Sequence, residues 1–391
     1  MLVQKSFFSV VVQPDTKPYF KIVNLAGKID KDVHSFFLDL LASDRSQETI
    51  KSYAFGLSAW FNFLHSRTKS WQAARSQDLR DYVLYLRGAN NPFRVRRRPG
   101  SPEPGSANLR TGKPSLGPGY KPSTINHRLS VIQSFYDFQR YAGTITSDIV
   151  RLDRPRISHH NPLEPWPLRR RGPYRQRQPK GIPRGLSDAL WDNIFDNLQC
   201  DRDRAILCLL TSSGSRAQEL LNMKGTDVDW GGQRVRLICK GTRQETWVGA
   251  SPEFFRWIAA YLTKRSPLTA KSPLWVTLRK PERSMKYTAL RAIFTRINQK
   301  LGTNVTAHDF RHTCALRLAA DPKVSLVDIQ THLRHRHINT TERYLVAHPD
   351  EVIKRLQAHQ AKKPTPKISN DAWKYDPADL SLLLGKEGAA R

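Results

Sequence analysis

What most limits how this chain can fold is a pair of Pro- and Arg-rich stretches that interrupt otherwise regular apolar patterning. The first, from Asn90 to Lys121, is also rich in Gly and includes Arg96-Arg97-Arg98. It lacks apolar periodicity and is longer than an ordinary loop, so it is expected to be disordered or ordered only on a partner. The second, from Arg151 to Gly185, carries Arg169-Arg170-Arg171 and Arg175-Gln176-Arg177. Composition changes sharply at both of its ends, which predicts a basic interdomain linker lying along phosphates. With 391 residues there is chain enough for two or three domains, each around its own core.

Before the linker, residues 28–150 read as helical. After Ser46, the residues Ile50, Tyr53, Leu57, Trp60, Phe61 and Leu64 recur at helical spacing on one face. A second helix is expected after Pro122, capped by Ser123 or Thr124 and burying Ile125, Leu129, Ile132, Phe135 and Tyr136. The apolar run from Ser6 to Val12 suits a β-strand better than a signal peptide, because no small-residue cleavage site follows it.

Beyond the linker, Ser187 should cap a helix that turns Leu190, Trp191, Ile194 and Leu198 inward, and a helix from Asp201 should stop at Gly214. Gly231-Gly232 signals a hairpin turn leading into Arg234 to Cys239, with a further strand at Glu245 to Val248. Helices are expected again near 287–300, 306–320 and 325–333, and from Pro349 to about Gln360. Ser325 with Asp328 three residues on has the capping-box pattern.

The charge balance narrows the partner. Sixty-four basic against 34 acidic residues leave a net charge of +30, which would repel itself unless a polyanion such as DNA or RNA neutralised it. No segment approaches a membrane-spanning length of apolar residues, so no membrane role is expected. The four cysteines (Cys200, Cys208, Cys239, Cys314) match neither a disulfide framework nor a zinc pattern. A cytoplasmic protein with reduced thiols is expected, nucleoid-associated if bacterial. His332, His335 and His337 lack the spacing of a zinc motif, so no metal and no cofactor are expected.

Three segments carry the chemistry: Gly214-Ser215-Arg216-Ala217-Gln218-Glu219, His308-Asp309-Phe310-Arg311, and the run from Leu333 to Tyr344 that contains Arg334-His335 and Thr340-Thr341-Glu342-Arg343. A phosphodiester repels nucleophiles, so its cleavage needs cationic donors that hold tighter as charge develops on the phosphoryl oxygens. Arginine suits this because its fork donates two parallel hydrogen bonds and stays charged. His308 and Arg311 lie three apart and so share a helix face. A tyrosine hydroxyl attacks only if cations or a base stabilise its phenolate, since its ordinary pKa is about 10.

In order and spacing these boxes resemble the tyrosine recombinase (phage integrase) family. The resemblance covers roughly residues 186–350 and extends more weakly to the helical region before them. It implies a mainly α fold with a small antiparallel β-sheet in the catalytic domain, joined to a helical core-binding domain so that the two form a clamp on DNA. On that reading the chain divides into an N-terminal arm (1–27), a SAM-like core-binding domain (28–150) with the basic insertion 90–121, the linker (151–185), the catalytic domain (186–360) and a tail (361–391).

The resemblance further implies residue roles. Arg216 and Arg311 would clamp the phosphate, with Glu219 steadying Arg216. His308 would assist proton removal or bond the phosphate, His335 would bond a nonbridging oxygen, and Tyr344 would be the nucleophile. Lys240, in the turn after the hairpin strand, would protonate the leaving oxygen, with Lys224 a weaker alternative. Arg96, Arg97, Arg98, Arg169, Arg170, Arg171, Arg175 and Arg177 are the candidate phosphate contacts. Two positions depart from the family pattern: Ser215 replaces a bulkier residue, and Arg334 replaces the usual glycine, so that its side chain must point away from the DNA or bind it.

The implied activity is strand exchange between two double-stranded DNA sites by a homotetramer, through a covalent 3′-phosphotyrosine. The size of the basic insertion and linker suggests the integrase or transposase of a mobile element. A relaxing enzyme resembling type IB topoisomerases, or a non-catalytic DNA-binding protein of the same fold, are the alternatives. Trp373, Leu380 and Leu382 to Leu384 make the tail apolar enough to dock, either on a neighbouring protomer or on its own domain.

Overall fold

The computed structural model describes residues 7–15, 17–95, 102–145, 174–178, 184–239, 244–265, 267–269, 272–336, 338–345, 349–362 and 376. The chain divides into two compact units, Met1–Gly181 and Ile182–Arg391.

The first unit begins with an antiparallel hairpin of β1 (Phe8–Val12) and β2 (Phe20–Asn24). Helices α1 (Lys31–Ala42), α2 (Gln47–His65), α3 (Ser76–Gly88), α4 (Pro92–Val95) and α5 (Pro122–Tyr141) follow. The strand expected near residues 6–12 is present, and it is held to α2: the Phe8 backbone N–H donates to Asn62 Oδ1 (2.9 Å) and Ser58 Oγ donates to the Phe8 carbonyl (2.9 Å).

Ser46 caps α2 as expected, its Oγ accepting from the Thr49 N–H. The anticipated face carries Ile50, Leu57, Trp60, Phe61 and Leu64 into the core, where they meet Ile132, Phe135 and Tyr136 of α5. Each such side chain removed from water contributes about 1.5–3 kcal/mol. The polar tips are paired too: Trp60 Nε1 donates to Tyr136 Oη (3.1 Å), which donates to the Trp71 carbonyl (2.8 Å). Helix α5 starts one position earlier than its expected cap. Pro122 is its first residue, where a missing N–H costs nothing, and Lys121 is the N-cap with no side-chain bond.

The insertion differs from expectation. Its described residues close on themselves: the Asn91 N–H donates to the Pro118 carbonyl, and Arg94 Nη1 donates to the Gly117 and Gly119 carbonyls (3.2 and 2.7 Å). Backbone carbonyls gathered by an arginine give a loop order that apolar periodicity does not reveal. Arg96, Arg97 and Arg98 lie outside the described residues, as do Arg169, Arg170 and Arg171. Part of the linker is described, and it lies on α5. Asn126 exchanges two bonds with the Gln176 backbone (2.7 and 2.9 Å), and Arg175 Nη2 donates to Ser130 Oγ (2.8 Å). Arg175 and Arg177 are exposed.

The second unit contains α6 (Asp188–Asp196), α7 (Asp201–Ser213), α8 (Ala217–Leu221), β3 (Val228–Asp229), β4 (Arg234–Ile238), β5 (Glu245–Gly249), α9 (Pro252–Leu262), α10 (Tyr287–Leu301), α11 (Ala307–Ala320), α12 (Leu326–Leu333), α13 (Asn339–Leu345) and α14 (Pro349–Lys362). Its sheet is antiparallel in the order β3-β4-β5, with Val235 opposite Val248. Val235, Leu237 and Val248 face the core. On the other side Arg236 bonds Asp227 (2.8 Å) and Glu245 (3.0 Å).

Helix α7 is the central element, with the run Ala205 to Leu210 buried without interruption. It ends where the sequence predicts, at Gly214, whose φ of 55° is left-handed. A Cβ there would stand 2.5 Å from Leu333 Cδ2 and 3.3 Å from Cys314 Sγ, so close approach as well as backbone angle demands glycine. That glycine brings the ends of α7 and α12 against α11.

Candidate active site

The site lies where α8, α11, α12 and α13 converge. Arg216 is the N-cap of α8, and its own backbone N–H donates to Glu219 Oε2 (2.9 Å) while its Nη1 donates to Glu219 Oε1 (2.6 Å). The arginine is therefore held by a carboxylate one turn away. Arg216 remains about a third exposed; Glu219 is buried.

Arg311, on α11, is buried at 2% exposure. It donates through Nη1 to the Gly214 carbonyl and through Nη2 to the Leu333 carbonyl, the C-terminal ends of α7 and α12. Those carbonyls carry partial negative charge, which suits a cation. A guanidinium has five N–H groups, so two such bonds do not exhaust it. Burial pushes its pKa down to about 10, and the neighbouring charges of Arg216 and Arg334 push the same way. Three cations thus converge around the buried carboxylate of Glu219, which is paired with two of them.

Tyr344, on α13, is buried at 3% exposure and hydrogen-bonded: its Oη and His312 Nδ1 are 2.8 Å apart. His308 is exposed on the same face of α11, and its ring meets that of His312 edge-on at 4.3 Å. His335 is buried, bonds Thr341 Oγ1 through Nδ1 (2.8 Å) and lies parallel to the Tyr344 ring, centroids 6.3 Å apart. The Thr341 hydroxyl therefore orients a histidine.

The structure brings Arg216, Glu219, Arg311, His308, His335 and Tyr344 into one region. Lys240 lies outside the described residues; Lys224, just before β3 in the chain, is exposed, its backbone N–H bonded to Asp227 (2.7 Å). Among the described residues no cluster of His, Cys, Asp or Glu could hold a metal ion. His332 bonds the Ser212 carbonyl (2.9 Å), and burial holds its pKa low.

The phage integrase family model matches residues 188–351, and the phage integrase N-terminal SAM-like domain model matches residues 33–95. The chain belongs to the tyrosine recombinase family. A tyrosine recombinase XerC of Staphylococcus haemolyticus is 24% identical over 349 residues, covering 85% of this chain and 99% of the relative. One of Staphylococcus carnosus is 23% identical over 343 residues, covering 85% and 98%. Solved structures share the fold. The XerH site-specific recombinase bound to a palindromic difH substrate aligns with a TM-score of 0.58 at 15% identity, covering 84% of this chain and 89% of that one. The Tn1549 transposon integrase in complex with transposon right end DNA aligns at 0.56 and 12% identity, covering 83% and 98%.

Two features of this tyrosine recombinase escaped the sequence reading: the role of His312 and the partner of Arg334, whose side chain takes the first of its two expected courses, away from the DNA. His312 holds the hydroxyl of Tyr344; its signal was visible, since it lies four residues after His308 and therefore on the same helix face. Arg334 turns inward. It adopts φ 55° and ψ 48°, the left-handed helix C-cap that glycine usually fills, and its guanidinium reaches Glu219 Oε2 (3.0 Å) and the His332 carbonyl (2.7 Å).

Proposed function

We propose that this chain is a site-specific DNA recombinase that cuts and rejoins DNA through a covalent 3′-phosphotyrosine on Tyr344. The bond from Tyr344 to His312, beside the buried charge of Arg311, is the observation that carries this reading. Tyr344 Oη attacks the phosphorus while its proton passes to His312 Nδ1, and His308 packs beside that ring on the solvent side. Arg216 and Arg311 hold the nonbridging oxygens, and His335, fixed by Thr341, adds a donor. The bond to the 5′-oxygen breaks, and that oxygen takes a proton, a role proposed for Lys240. The phosphotyrosine stores the bond energy, so a 5′-hydroxyl from another strand can displace Tyr344 without metal or nucleotide.

On this reading the two units close on DNA as a clamp, and four protomers join two duplexes. The basic insertion and linker favour the integrase or transposase of a mobile element, and Arg175 and Arg177 are placed among the phosphate contacts. Strand exchange between two differently labelled duplexes carrying candidate sites tests this. Recombinant duplexes of both parental labels are expected; plasmid relaxation without exchanged products would contradict it in favour of a relaxing enzyme.

A further inference from the structure

Arg334 is as buried as Glu219, their side chains 3% and 1% exposed, and the two are joined at 3.0 Å. Glu219 in turn holds both the backbone and the guanidinium of Arg216. The carboxylate is therefore shared between an arginine facing the site and one sealed beneath it. Sealing matters for charge. Burial alone would raise the Glu219 carboxyl, yet Arg334 first, and then the bonds from Arg216, hold it below its ordinary range. A protonated Glu219 would keep one acceptor oxygen fewer for the fork of Arg216.

Arg334 also tolerates a backbone angle that disfavours any side chain, and besides Glu219 it bonds the His332 carbonyl (2.7 Å) and the Ser213 carbonyl (3.4 Å). A left-handed non-glycine residue held by three polar partners is a place where the side chain is wanted enough to accept strain.

Resting on the recombinase reading, we propose that Arg334 is a positioning residue that keeps Glu219 ionised and so fixes Arg216 for cleavage. It does not touch DNA. Among the described residues, the charged groups facing Glu219 are Arg216 from α8, Arg334 from the end of α12 and Arg311 from α11. The sign of the pH effect follows. Without Arg334 the largest influence opposing burial is lost and the carboxyl rises, so Arg216 loses its anchor as pH falls through that raised value.

The test uses the full chain as Arg334→Gly, Arg334→Met and Arg334→Lys. Glycine suits the backbone angle, so the first variant should fold; methionine keeps the buried stem without its charge. Two readouts are taken. In DNA-free protein carrying ¹³C-labelled glutamate, the Glu219 carboxyl, assigned by its loss in Glu219→Gln, should titrate higher in the Gly and Met variants and recover in the Lys variant. On nicked DNA substrates, those two variants should cleave roughly ten- to a hundredfold more slowly, with the deficit widening toward acid pH and DNA affinity kept. Arg334→Lys should restore the acid side.

An unmoved Glu219 titration overturns the inference even if the wild type cleaves well. So does a uniform loss of cleavage at every pH. A shifted titration with no cleavage by wild type on any substrate instead overturns the recombinase reading, and the positioning role with it.

Discussion

At the residue scale, the chemistry turns on which group meets the Tyr344 hydroxyl. The family resemblance implies that His308 assists proton removal or bonds the phosphate; the hydroxyl lies 2.8 Å from His312, with His308 one ring further out. General-base catalysis typically contributes about 10²- to 10⁴-fold. His312→Asn should therefore slow adduct formation by about that factor while leaving DNA affinity intact, and His308→Asn should cost less. Measured cleavage rates that reverse this order would return the role to His308. The candidate residues that the fold brings together were legible because a phosphate would dictate their types and the boxes keep their order. The pairing of Arg334 with Glu219 was not, because it joins residues 115 positions apart across a helix C-cap. Nothing local in the sequence announces that an arginine in a glycine position folds inward.

At the scale of elements, the site is assembled by helix ends. Arg311 bonds the carbonyls that close α7 and α12, and Gly214 lets those ends approach. Gly214→Ala adds a Cβ to a left-handed residue and drives it into Leu333, so a loss of about 1–3 kcal/mol is expected. In a unit of this size that lowers the melting temperature by about 2–4 °C per kcal/mol, and cleavage should fall along with it. An unchanged melting curve would mean that the junction relaxes freely. Caps and periodic faces were readable here: Ser46, Ser187 and Ser325 each start a helix, and α7 stops at Gly214. Helix α9 carries the same signals, a Ser251 cap, Pro252 at its first position and an apolar face at Phe254, Phe255 and Ile258, although no expectation above covers it. The ordered insertion was missed for a different reason. Its bonds run from Arg94 to backbone carbonyls, and such bonds leave no apolar period.

At the scale of the whole molecule, a charge of +30 needs a polyanion, and its distribution decides how binding responds to salt. Arg94 is occupied with the carbonyls of its own loop, so phosphate contacts should come from Arg96 to Arg98 and from the linker arginines that include Arg175 and Arg177. Neutralising either cluster should weaken all DNA sequences alike and reduce the log–log salt slope by roughly 0.9 per lost contact. Loss at a single target with an unchanged slope would indicate base reading instead. The central claim, though, is covalent. A nicked substrate that releases a short fragment after cleavage traps the intermediate by removing the 5′-hydroxyl that would reverse it. Digestion of the trapped complex and mass spectrometry of its peptides should place the nucleotide on Tyr344, with no adduct from Tyr344→Phe bound to the same DNA. An adduct on any other residue, or one that survives in Tyr344→Phe, would contradict the account.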